Sequence, residues 1–97
     1  MLAFSPGQAV SPLPTTLETA VTLGNRLNYI RLTNESATVQ TVYYCTSADT
    51  PLVIGSVRLQ PAESMILWKR RQYHKVYASS AEVFGTGGMA RPVGLGK

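Results

Sequence analysis

The sequence predicts an all-β protein: a small β-sandwich or barrel of six to eight short strands with extended N- and C-terminal arms. Three observations predict it. Apolar residues alternate with polar ones over short runs between Ala20 and Phe84, which is the period of half-buried strands. Clusters of turn-forming residues break those runs about every eight to twelve residues, as in sandwiches and barrels. No stretch carries the apolar stripe that a packed helix requires. The expected organisation is an arm over 1–19, a β core over 20–84 and a glycine-rich tail over 85–97.

Residues 1–19 hold Pro6, Pro12 and Pro14. Proline fixes φ and removes a donor, so this stretch is extended and cannot be a central strand. Its apolar residues Leu2, Phe4, Val10, Leu13 and Leu17 fit either anchors of an arm on a neighbour or a segment that wraps its own domain. Ala20–Leu23 is a short strand candidate, stopped by Gly24-Asn25. In Leu27–Thr33, Asn28, Ile30 and Leu32 share one face and Tyr29, Arg31 and Thr33 the other. Asn34-Glu35-Ser36 is a turn. Thr38–Thr46 is the longest run of β-branched and aromatic residues, with apolar groups on both faces.

Ser47–Pro51 is a loop. Leu52–Leu59 continues the alternation, with Gly55 as a candidate bulge. Gln60–Ser64 is a second loop. Met65–Lys69 sets Met65 and Leu67 against Ile66 and Trp68, and core packing is the expected role of Trp68. Arg70–His74 is a basic turn, Lys75–Ala78 a strand, and Ala81–Phe84 the last strand candidate. Beyond it, the glycines from Gly85 onward have no side chains with which to start an element of their own. This tail is free or ordered by a partner.

Composition narrows the function classes. Ninety-seven residues make one domain, and a core confined to 20–84 is marginal alone. Small domains are reinforced by disulfides, metals or oligomerisation. The single cysteine, Cys45, forms no internal disulfide, and the single histidine, His74, anchors no zinc site. Assembly remains. The N-terminal residues lack the pattern of a signal peptide, and no apolar run nears the ~20 residues of a membrane span. Charged residues are only 14% of the chain, against about 25% in an average domain. Such a surface is readily covered by neighbours.

No catalytic constellation emerges, and the expectation is a protein that is not an enzyme and binds no cofactor or metal. A Ser-His-Asp triad would have to draw on His74 and Asp49, which lie in separate loops. The carboxylates Glu18, Glu35, Asp49, Glu63 and Glu82 sit in turns and strand ends with nothing to pair them. Cys45 lies within a strand, where a thiol behaves as a small buried hydrophobe. The net charge of +4 is concentrated in Lys69, Arg70, Arg71 and Lys75. With Tyr73, these residues could grip phosphates and a base, meet an acidic patch on a protein, or form a solvated turn.

Three stretches carry a family likeness: LNYIRLTNES followed by TVYYC, LQPAESMILWKR, and HKVYASSAEVFGTGG. Their order of strands and turns resembles that of small all-β structural virion proteins of tailed bacteriophages, of the capsid cement or decoration type. The likeness spans about Asn28 to Thr86. It implies a structural protein made in the host cytoplasm and located in the virion, where it docks on the major capsid protein and on copies of itself, a trimer being favoured. In that picture the contacts are Leu2, Phe4, Leu13 and Leu17 in the first arm, Met89, Val93 and Leu95 in the tail, and Lys69, Arg70, Arg71, Tyr73 and Lys75 in the basic turn. A phage neck or tail component, or a small nucleic-acid-binding module using the basic turn, are the alternatives.

Overall fold

The computed structural model describes residues 2–6, 10–23, 28–47, 49–71 and 73–92. The described strands are β1 (Leu2–Pro6), β2 (Ser11–Pro12), β3 (Tyr29–Asn34), β4 (Gln40–Cys45), β5 (Val53–Leu59), β6 (Ser64–Trp68), β7 (Lys75–Ala78) and β8 (Val83–Pro92), with a single 3₁₀ turn at Leu17–Thr19. They form two antiparallel sheets. One has the order β1–β8–β3–β6, with β2 also on β8; the other has the order β5–β4–β7. Val21 adds one bridge to Val76 on the free side of β7.

The pairing is nested. Gln40 lies opposite Leu59, Tyr29 opposite Trp68, Val21 opposite Val76, Ser11 opposite Gly85, and Leu2 opposite Pro92. The chain is thus one long antiparallel ribbon, doubled back between Cys45 and Val53 and rolled so that successive parts fall in alternate sheets. This is the winding of a jelly roll, with the bridge at Val21 standing where a full strand would pair with β7.

The core lies between the sheets. Ile30 and Leu32 of β3 and Val83 of β8 face Val42 and Tyr44 of β4, Leu59 of β5, and Val76 and Ala78 of β7. All of these are buried, as the period-two rule requires of inner positions. On β6 the alternation is as expected, but Met65 and Leu67 pack on the core while Trp68 is 57% exposed. Trp68 is therefore not a core residue: it stands exposed at the end of an edge strand. On the outer face of the smaller sheet Tyr43 and Tyr77 are register partners, their rings stacked at 4.8 Å. The strand expected over Ala20–Leu23 is reduced to the Val21 bridge, and Leu23 leaves it with φ 55°.

The stretches expected as arms are built into the roll. β1 pairs with residues 88–92 of β8 and β2 with residues 84–85, while β8 pairs with β3 on its other edge. The glycine-rich stretch is thus a strand as far as Pro92, paired with β3 up to Gly88 and, among the described residues, with β1 alone from Met89 to Pro92. Pattern cannot reveal this, because a glycine-rich strand is specified by its neighbours. The neighbours are visible at Gly85, where a Cβ would fall 2.9 Å from Leu23 Cδ1 and 3.1 Å from Leu13 Cδ2. Leu13 of the expected arm, only 2% exposed, fills the space that a side chain would take in the expected tail. Of the two readings left open for residues 1–19, the structure has the segment wrapping its own domain.

Two crossovers between the sheets meet at Asn34, whose side chain is fully buried. Nδ2 donates to Thr38 O at 2.8 Å and to Leu59 O at 2.9 Å. Oδ1 accepts from Ser36 N at 2.9 Å and Ser36 Oγ at 2.7 Å. The Asn34 backbone adds bonds with Glu63 O and Ala62 N, and Ala62 is held at φ 66°, a region that non-glycine residues rarely occupy. One amide therefore ties the β3–β4 crossover to the β5–β6 crossover.

Asn34→Ala removes the bonds to Thr38 O and Leu59 O and those from Ser36, and breaking a buried hydrogen-bond network of this kind costs about 1–3 kcal/mol. A fall in the urea midpoint of that size, without change in slope, is the expected result. Gly85→Ala forces Leu13 and Leu23 apart and is expected to cost about 1–3 kcal/mol by overpacking, again read by urea unfolding. The same substitution in an unpacked tail would leave the midpoint where it was.

Candidate functional site

The sandwich is closed on one side and open on the other. Along β7 it is closed by the chain from Pro14 to Val21: Ala78 N donates to Pro14 O, and Val21 and Val76 exchange backbone bonds. On the opposite side β5 and β6 end their sheets without a further described strand. Between them opens a cleft of about 400 Å³. Val42 and Tyr44 form its floor, the β5 segment 54–57 one wall, Leu67 and Trp68 the other, and Arg70 stands at the mouth.

Local sequence explains why the cleft stays open. The β4–β5 register shifts between Tyr44 and Cys45, which lie opposite Gly55 and Val53. This is the bulge expected near Gly55, and it leaves Ile54 as the extra residue, re-aimed toward the cleft. A Cβ built on Gly55 meets nothing within 4 Å. Around the opening Leu52, Val53, Ile54 and Trp68 are exposed.

A buried polar cluster fixes the mouth. Tyr44 Oη accepts from the Arg70 backbone N–H at 2.6 Å and lies 2.7 Å from His74 Nδ1. Burial, then the charges of Arg71, Arg70 and Lys69, hold the His74 pKa below its usual 6.5. A neutral ring accepts the tyrosine O–H at Nδ1, so Tyr44 both accepts and donates. Because the folded pKa is lowered, this arrangement stabilises the fold above pH about 6.5 and loses that contribution as the pH falls. His74 Nδ1 is thus engaged by a tyrosine, where a hydrolytic triad would require a carboxylate such as Asp49.

The residues expected in the basic turn separate. Arg70, Arg71 and Tyr73 are exposed, Lys75 is half-buried in β7, and Lys69 is fully buried. Lys69 Nζ donates to Thr22 O at 2.7 Å; the ammonium ties the β6 end to the segment before Leu23 and is not presented to a partner. The expectation of a four-cation surface is corrected on this point. Tyr73 stands edge-on to His74, with centroids 5.3 Å apart. Among the expected arm contacts, Leu13 is in the core, Leu17 is half-buried in the 3₁₀ turn, and Phe4 is half-buried beside an outer-face recess that Arg31 and Ile66 also line. Leu2 and Met89 occupy register positions in the β1–β8 pair. Val93 and Leu95 lie outside the described residues. Cys45 is buried, with its Sγ donating to Lys75 O at 3.4 Å and its pKa raised by burial.

No protein-family model, curated protein or solved structure matches the chain. The cleft was missed by sequence reasoning because its parts lie on three strands. The one local signal was Gly55 within the Leu52–Leu59 run.

Burial lowers the Lys69 pKa from 10.5 to about 8. The unfolded chain therefore holds this proton more tightly, and the Lys69 contribution to stability rises with pH between about 8 and 10.5. Cys45 acts in the opposite sense over part of the same window, so the informative quantity is a difference. The urea stability of wild type minus that of Lys69→Met is expected to climb through this window and to be flat below it. A flat difference throughout would mean that the ammonium is solvated.

Proposed function

We propose that this protein is a non-enzymatic structural subunit that docks on a virion shell as a cement or decoration protein. The observation that carries the reading is the open side of the roll. Edge strands of free-standing proteins are guarded by charge, proline or a covering element. β5 carries neither charge nor proline from Val53 to Val57, its Val53 and Ile54 are exposed, and Ile54 lines the cleft together with the exposed Trp68. An edge of this character is suited to being covered in an assembly. The resemblance of residues 28–86 to phage virion proteins supplies the kind of assembly.

Docking is assigned to this side rather than to the chain ends. β1, β2 and β8 already pair with one another, and Leu13 is enclosed. Arg70 at the opening, with the exposed Arg71 next to it in the turn, supplies charge for an acidic shell surface. The nucleic-acid reading rested on a cluster of four cations in one turn; with Lys69 enclosed, that cluster is smaller.

The test is the copy number of the protein in purified particles, by quantitative mass spectrometry against the most abundant shell protein. A ratio near one per shell subunit is expected. A few copies per particle would move the assignment to a neck or tail component, and absence from particles would overturn the virion reading.

A further inference from the structure

The cleft has a feature that a plain docking face does not need. Inner positions of a sandwich strand normally carry apolar side chains, as Val57 and Leu59 do farther along β5. At Gly55 the inner position is empty, nothing lies within 4 Å of where a Cβ would be, and φ does not require glycine. Glycine inside a strand costs stability and often marks the close approach of a ligand or another backbone. Packing does not account for Gly55, whereas it accounts for Gly85.

The wall that Gly55 interrupts is an edge strand. Its free side presents unpaired N–H and C=O groups, which is the feature that β-strand addition uses: backbone bonds give affinity and pockets for alternate side chains give selectivity. The cleft, at about 400 Å³, falls within the ~300–1,000 Å³ of ligand-binding pockets. The charge is one-sided. Arg70 is the charged residue among those lining it, Arg58 is exposed on the same strand, and Arg71 follows in the turn. Two copies of a +4 chain meeting at this edge would bring cations together with no lining carboxylate between them. The occupant that fits is acidic.

We propose that the β5 edge is a strand-acceptor site, at which an extended segment of an acidic partner protein pairs with Val53–Val57, lays an apolar side chain over Gly55 and sets a carboxylate on Arg70. The proposal rests on the assembly reading for the nature of the partner, and its test needs no particle. Leu67 and Val57 wall the apolar side chain, and Trp68 flanks it. The hydroxyl of Tyr44 holds the Arg70 backbone and so keeps the guanidinium at the mouth.

The probe is a short capped peptide alternating valine and glutamate, with its valine–lysine counterpart as control. Binding is followed by Trp68 fluorescence and by amide shifts of the isolated protein. The acidic peptide is expected to perturb the β5 amides and the Trp68 indole. Gly55→Val should fill the cleft and abolish binding while leaving the urea midpoint unchanged or higher. Arg70→Glu, at an exposed position, should weaken the acidic peptide at least tenfold and favour the lysine peptide. The proposal is overturned if the acidic peptide does not bind at millimolar concentration, if both peptides bind alike, if Gly55→Val binds as wild type does, or if sedimentation shows wild type self-associating through this edge. Peptide binding with no copies in particles would overturn the virion reading alone. Particle incorporation unaffected by Gly55→Val would overturn the strand-acceptor site alone.

Discussion

The roll depends on one corner. At Asn34 the chain leaves the larger sheet for the smaller one, and at Leu59–Glu63 it returns. Both passages strand backbone groups away from water, and a single carboxamide bonds to both: Thr38 O and Leu59 O on its donor side, and the Ser36 amide and hydroxyl on its acceptor side. Buried polar groups are costly when unpaired and specifying when fully paired. A carboxylate of the same size could accept from Ser36 but could not donate to Thr38 O or Leu59 O, and an aliphatic group could do neither.

The other polar burials follow the same logic at the opposite end of the strands. Lys69 reaches Thr22 O, and Tyr44 joins Arg70 N to His74. Both bonds fix the passage from β6 to β7, which borders the mouth of the cleft. The cations and the tyrosine of this turn thus divide between two tasks. Lys69 and Tyr44 hold the turn in place, and Arg70, Arg71 and Tyr73 remain outside it.

Most of the sheet was legible in the sequence because alternation and turn residues report it directly. β4, β5 and β7 lie within the expected runs, β7 with the same ends, β3 and β6 each overrun theirs by one residue, at Asn34 and Ser64, and the bulge falls at Gly55. The choice of face on β6 was not legible, since Met65 and Leu67 are no more apolar than Ile66 and Trp68, and only the opposing sheet decides between them. β8 was not legible beyond Phe84, because glycine carries no pattern and the Leu13 and Leu23 side chains that pack at Gly85 come from distant parts of the chain. Lys69 read as surface because lysines usually are, and its acceptor, Thr22 O, is a backbone atom without a signature. The candidate cleft shares this difficulty: it is defined by a missing side chain.

The nested pairing bears on how such a chain finds its fold. Loop-closure entropy rises only slowly with loop length, but long-range β pairing is ordinarily slow because each contact must close a long loop of its own. Among the described strands, β4 and β5 are the one pair of sheet neighbours joined by a short connection. Once β4 and β5 have met, β3 and β6 are separated only by their crossovers, and then Val21 and Val76, and finally the strands at Ser11 and Leu2. Every later closure inherits the proximity made by the one before it. The chain can therefore assemble as a zipper drawn from its middle, and the glycine-rich strand, weakest in its own preferences, is asked to order last, against neighbours already in place.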